Sequence, residues 1–225
     1  MIESLPEYRV IRSRRKTLEL RLYPDRRLEV RAPHRTREAD IHAFVASRRD
    51  WIARRLRAMP EPQPAPRHCE GTGHLFQGRR LPLRLETGRH RVCFEPDAIR
   101  VRLPDPRNEA AVERTLERGL RREAYTLFER MIDDHFPWFA DRRHPRPTLR
   151  VKAMKTRWGS LSTRGYINLN LALVRVAPEC AEYVVVHELC HLEHAHHGPA
   201  FQRLMDERLP DWRRRRARLN AEPLQ

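Results

Sequence analysis

Residues 178–201, PECAEYVVVHELCHLEHAHHGPAF, decide how the rest of the chain is read. Proline is well tolerated at the first helical position, where its missing N–H is not needed, so Pro178 predicts a helix start. The apolar residues Tyr183 to Val186 predict that the helix is buried, and Gly198-Pro199 predicts where it ends. His187, Glu188 and His191 form an HExxH pattern. At about 100° per residue, positions 187 and 191 lie one turn apart on one face, where both imidazoles can reach a single Zn²⁺. Glu188 stands beside them to accept a proton from water on the ion. Five of the 12 histidines fall within Val186 to Gly198, so an unselective metal-binding tract is the competing reading.

A hydrolytic zinc site has three protein ligands and one open position. The candidates for the third are His194, His196, His197 and the downstream Glu207. His194 is on the right face but about 10 Å along the axis from His187, too far for both to meet one ion easily in a straight helix. His197 directly precedes Gly198-Pro199, where the chain must break and can fold back, and that geometry favours it.

Upstream of this helix, TLRVKAMKTRWGS (148–160) and GYINLNLAL (165–173) predict two strands around a turn at Ser162 to Gly165. Asn108 and Glu109 open the longest amphipathic segment, in which Val112, Leu116, Leu120, Ala124, Leu127, Phe128 and Met131 step by three or four. Short alternating runs between His74 and Leu103, and again between Tyr8 and Arg31 around Pro24-Asp25, predict small antiparallel sheets. Glu38 to Met59 predicts one helix ending at Pro60. Pro60, Pro62, Pro64 and Pro66 then alternate through a stiff, extended linker closing with Gly71 and Gly73. No internal repeat is present.

The 225 residues suffice for a sizeable core, and 40% hydrophobic with 34% charged composition excludes collagen-like and low-complexity classes. No apolar run approaches the roughly 18 residues that span a bilayer, and the N-terminus lacks a secretory apolar core, so no membrane partner and a cytoplasmic address are expected. Cys69, Cys93, Cys180 and Cys190 contain no CxxC pair and are expected to be reduced packing residues. The formal charge of +16 favours nucleic acid, nucleotides or acidic protein surfaces as partners. All but Lys16, Lys152 and Lys155 of the 46 basic residues are arginines spread along the whole chain, as in a solvated basic surface, not a dedicated phosphate stripe.

RWGS at Arg157–Ser160, GYINLN at Gly165–Asn170 and YVVVHELCHL at Tyr183–Leu192, continuing into His197 and Phe201, resemble the YgjP-like family of zinc metallopeptidases, relatives of the SprT-type proteases. SRRKTLELRLYPDRRLEVRAP and FVASRRDWI extend the resemblance more weakly over most of the chain. It implies an α+β fold, with an antiparallel β-rich lobe, one helix and a proline-rich linker (about 59–73) in residues 1–106, and a helical zincin-like core in 107–225. It also implies His187, His191 and His197 as ligands and Glu188 as the catalytic residue. Three positions depart from the family pattern: Leu161 replaces Cys, Gly198 replaces Ser and Gln202 replaces Trp.

The expected activity is hydrolysis of peptide bonds in a protein or peptide substrate, with Glu188 as general base. Arg157 and Tyr166, near the hairpin turn, are candidate donors to the developing oxyanion. GYINLN is expected to offer a sheet edge to an extended substrate. A metal-dependent pyrophosphatase acting on UTP is the second reading, permitted by the family and by the charge, although no GxxxxGK[ST] loop is present. A DNA-binding module, or a protease brought to DNA by its charge, is the third.

Overall fold

The computed structural model describes residues 7–23, 26–59 and 67–222, and the chain divides into two compact units, Met1–Ala65 and Pro66–Gln225. The class is α+β, with three small sheets and seven α-helices among the described residues.

In the first unit, β1 (Tyr8–Ser13), β2 (Glu19–Leu22) and β3 (Leu28–Pro33) form a sheet of order β1-β3-β2. β2 is antiparallel to β3, but β1 runs parallel to it, with Val10 opposite Val30, which corrects the expected antiparallel unit. Alternation fixes the face a side chain takes and leaves its neighbouring strand open. β3 takes the centre, where burial is greatest, with Leu28, Val30 and Ala32 as its buried apolar residues. The single helix expected over 38–59 is two, α1 (Glu38–Ser47) and α2 (Arg49–Ala58). The Ser47 hydroxyl donates to the Phe44 carbonyl at 2.8 Å, and Arg48 leaves helical geometry at φ −105°, ψ 8°. A hydroxyl bonded to a carbonyl one turn back competes with the helical ladder. Pro24-Asp25 and the linker residues 60–66 lie outside the described residues.

In the second unit, residues 71–72 are hydrogen-bonded onto the edge of a sheet that Gly73 joins: the Gly71 amide donates to the Leu83 carbonyl and the Leu83 amide to the Thr72 carbonyl, both at 2.9 Å. That sheet contains β4 (Gly73–Phe76), β5 (Arg79–Thr87), β6 (Arg91–Phe94) and β7 (Ile99–Leu103) in the order β4-β5-β7-β6. β5 and β7 are parallel, so this sheet too is mixed. Its Leu83, Val92, Ile99 and Val101 share one core with the apolar stripe of α3 (Glu109–His135). The sequence reading placed residues 67–106 with the N-terminal lobe; their buried face instead packs within the second unit. Asn108 caps α3, its Oδ1 accepting from the Ala111 amide at 3.0 Å. Gly119 lies on the buried face, where a Cβ would come within 2.7 Å of Val92, so glycine lets β6 pack close to the helix.

The short α4 (Pro137–Ala140) leads to β8 (Thr148–Lys152), β9 (Gly159–Leu161) and β10 (Tyr166–Asn170), ordered β8-β10-β9. The first segment, expected as one strand, breaks at 153–158 because Asn170 holds it as a loop: its Nδ2 donates to the carbonyls of Met154 (2.7 Å) and Arg157 (3.0 Å). β10 is the central strand, paired on both sides. It therefore has no free edge, which corrects the expectation for GYINLN; the edge beside the helices belongs to β9. A 3-10 turn at Leu171–Val174 leads to α5 (Pro178–Cys190), α6 (Pro199–Arg208) and α7 (Trp212–Ala221). No helix of the described residues is long and apolar enough to cross a membrane. The four cysteines are free, with Cys180 and Cys190 buried.

Candidate metal centre

α5 starts at Pro178 as the sequence predicts, but it ends at Cys190 and not near Gly198. His191 is its C-cap, and its Nδ1 lies 2.9 Å from the His194 carbonyl, which ties the following turn back onto the helix end. Glu193 is drawn away by His144, whose Nε2 is 2.9 Å from its Oε1. The chain is thus already folding back by residue 194, and His197 reaches the helix from the far side of the turn.

His187, His191 and His197 form a cluster whose ligand atoms all lie within 4.8 Å of one another. His187 Nε2 and His197 Nε2 are 3.0 Å apart, two nitrogens aimed at one point. Zn–N bonds of about 2.0–2.1 Å in tetrahedral array put ligand nitrogens a little over 3 Å apart, so the donor set fits such an ion. With His191 Nδ1 on a carbonyl, Nε2 is the nitrogen left for a metal, the usual division of an imidazole between ion and supporting acceptor. His187 Nδ1 is buried with no partner. Packing orients that ring instead: the Tyr183 ring meets it edge-on at 5.7 Å, and Phe201 lies 5.0, 4.8 and 4.9 Å from the rings of His187, His191 and His197.

Burial favours the neutral form of two members of the cluster. Burial, followed by neighbouring His191 and His197, pushes the His187 imidazolium down to about 3. Burial and His191 also lower His197. Metal binding requires unprotonated imidazole, so both shifts extend the pH range in which nitrogen lone pairs are available.

Glu188 is 5% exposed. Burial pushes its carboxyl up to about 7, opposed by a hydrogen bond from the Leu161 backbone and by the charge of Arg157. Gly159 makes this possible, since a Cβ there would stand 2.7 Å from Glu188 Oε1. Main chain, not side chain, reaches the carboxylate from position 161, so Leu in place of the family's Cys leaves that contact available.

The three histidines form one cluster, and Glu188 follows His187 directly on α5. Arg157 is exposed, close enough to act electrostatically on Glu188. Tyr166 sits elsewhere: the Arg150 guanidinium lies 3.3 Å from its ring centroid, and among the described residues no hydrogen bond or ring contact joins it to the histidines. His194 contributes its carbonyl, and neither His196 nor Glu207 belongs to the cluster. Gly159, Asn170 and the Leu161 amide support the site without a sequence signal of their own beyond the RWGS and GYINLN segments. No curated protein shows significant similarity to the chain. The pattern of the YgjP-like, metallopeptidase domain matches residues 16–222, and so covers both units, the histidine cluster and Glu188. The chain belongs to the YgjP-like metallopeptidase-domain family.

Proposed function

We propose that the chain is a zinc-dependent peptidase with His187, His191 and His197 as ligands and Glu188 as general base. The observation that carries this reading is the convergence of three imidazoles, from α5, its C-cap and the turn that follows, with the buried carboxylate of Glu188 next to His187 on α5. Zinc, when bound, supplies a Lewis acid that polarises a substrate carbonyl and acidifies the attacking water. Burial gives Glu188 a proton affinity near neutrality, suited to taking a proton from that water and delivering it to the departing amine. A hydrogen bond from the Leu161 backbone favours the ionised form of this carboxyl against burial. Of the two expected oxyanion donors, Arg157 is the one whose charge acts on Glu188, and it is the one we assign. β9 lies at the sheet edge beside α5, where an extended peptide can add as a further strand.

Zinc-loaded protein incubated with an unfolded protein, a peptide library and UTP, with Glu188→Gln as the blank, tests the proposal. Glu188-dependent fragments are expected. Pyrophosphate released from UTP with every peptide left intact would put the pyrophosphatase reading in its place. A fragment yield that persists at moderate salt for uncharged peptides, while DNA capture falls steeply, would separate the chemistry from attraction by the +16 field.

A further inference from the structure

α7 carries five arginines, Arg213, Arg214, Arg215, Arg216 and Arg218. Four are tied to carboxylates: Arg213 to Asp206, Arg214 to Asp211, Arg215 to Asp211 and Glu182, and Arg218 to Glu179. Arg216 has no carboxylate or hydrogen-bond partner among the described residues. Its position is set by two helices running in opposite senses. Trp212 stacks on Tyr183 with ring planes 8° apart, while Arg218 reaches Glu179 near the start of α5. Trp212 and Arg216 stand one turn apart on α7, as Tyr183 and His187 do on α5. Because the helices run in opposite senses, position 216 lies between the level of Tyr183 and that of Glu179 on α5, one turn from Trp212.

Trp212 is linked to the histidines through rings: it stacks on Tyr183, and the Tyr183 ring meets that of His187 edge-on at 5.7 Å. Arg216 also lines a hollow of about 440 Å³ with Gln202, Trp212, Arg213, Ala217 and Asn220. Gln202 directly follows Phe201, whose ring packs on all three imidazoles. The hollow thus lies two ring contacts from His187, through Trp212 and Tyr183, and offers an open volume, an aromatic wall anchored through Trp212 Nε1 to Asp206 at 2.8 Å, and one uncommitted guanidinium. A planar guanidinium fork matches a carboxylate, with two parallel N–H donors.

We infer that this hollow is a substrate subsite for a peptide carboxylate, with Arg216 as the specificity-determining residue. The inference rests on the peptidase reading of the histidine cluster. A carboxylate seated there would fix which bond of the peptide reaches the histidines. Either an acidic side chain or the peptide's terminal carboxylate has the required chemistry.

The test measures binding separately from turnover. Zinc-loaded Glu188→Gln protein is titrated calorimetrically with amidated peptides carrying Glu or Gln at each successive position, and with the free-acid form of the neutral peptide. One carboxylate-bearing form is expected to bind about tenfold tighter than its neutral partner, as one partly solvated charge-assisted pair allows. Whether Glu peptides or the free acid show the gain identifies the source of the carboxylate. Adding Arg216→Gln should abolish the difference, and adding Arg214→Gln, exposed and paired with Asp211, should preserve it. With Glu188 restored, the same ratio should appear in kcat/KM. Equal binding of charged and neutral peptides, or a preference that survives Arg216→Gln, overturns the subsite. So does Arg216-dependent binding of UTP in preference to every peptide. Cleavage without charge preference sinks the subsite and leaves the peptidase reading standing; Arg216-dependent peptide preference without cleavage does the reverse.

Discussion

A Cβ at Gly159 would lie 2.7 Å from Glu188 Oε1 and 2.8 Å from Val184 Cγ1, so β9 rests directly on α5, the helix that carries the proposed base. Any side chain at 159 must push β9 and α5 apart or displace the carboxylate. Gly159→Ala should therefore destabilise the second unit by about 1–3 kcal/mol, the usual cost of overpacking. The three clustered histidines lie outside this contact, so metal content should persist while the proposed Glu188-dependent turnover falls. A urea midpoint equal to that of the unaltered protein would show that the two elements are not in such close contact.

The ligand assignment is tested by metal content after dialysis. One zinc per chain is expected, lost in His187→Ala and His191→Ala and strongly weakened in His197→Ala. Glu188→Gln, His194→Ala and His196→Ala should retain most of it, since none of these side chains belongs to the cluster. Full zinc in His197→Ala with loss in Glu207→Ala would transfer the third position to the downstream carboxylate.

His74 gives a pH dependence whose sign is fixed. Burial, reinforced by the neighbouring His68 imidazole 5.0 Å away, pushes His74 down to about 4 from its ordinary 6.5. The unfolded chain takes up this proton first, so the contribution to stability is fully present above pH 6.5 and is lost as pH falls through about 4. His74→Gln cannot take up that proton and should show a smaller drop in urea midpoint between pH 7 and 4.5. Equal drops in the two proteins would remove His74 from the account.

Gly198 is the N-cap of α6, at φ −73°, ψ −176°, with no side-chain cap and nothing within 4 Å of a built Cβ. Serine fits that geometry, can accept from an unpaired amide of the first turn, and restricts the unfolded chain. Gly198→Ser should stabilise by about 0.5–1 kcal/mol, roughly 2 °C in Tm, with zinc content unchanged. A lower Tm would mean that the turn after His197 needs glycine for a reason other than backbone freedom.

The sequence by itself determined the elements whose periodicity or end signals are local. Asn108 and the stripe from Val112 to Met131 specify α3, Pro178 starts α5, and the 187/191 spacing puts two imidazoles on one face. Helical geometry alone settles that last relation. Tertiary structure decided what local pattern leaves open. Alternation gave the faces of β1 and β5 but not their parallel partners, because the partner depends on which strand is most deeply covered. His191 could end α5 early because its ring found the His194 carbonyl, a contact that no helix signal announces. Arg157 and Tyr166 are equally suitable donors as residue types; the fold placed Arg157 where its charge reaches Glu188 and put Tyr166 under Arg150. Arg216 looks like its neighbours in an arginine run, and only the pairing of the other four with carboxylates from α5, α6 and the start of α7 leaves it uncommitted. Charge and chemistry are written in the residue types, but which charges are neutralised depends on which elements meet.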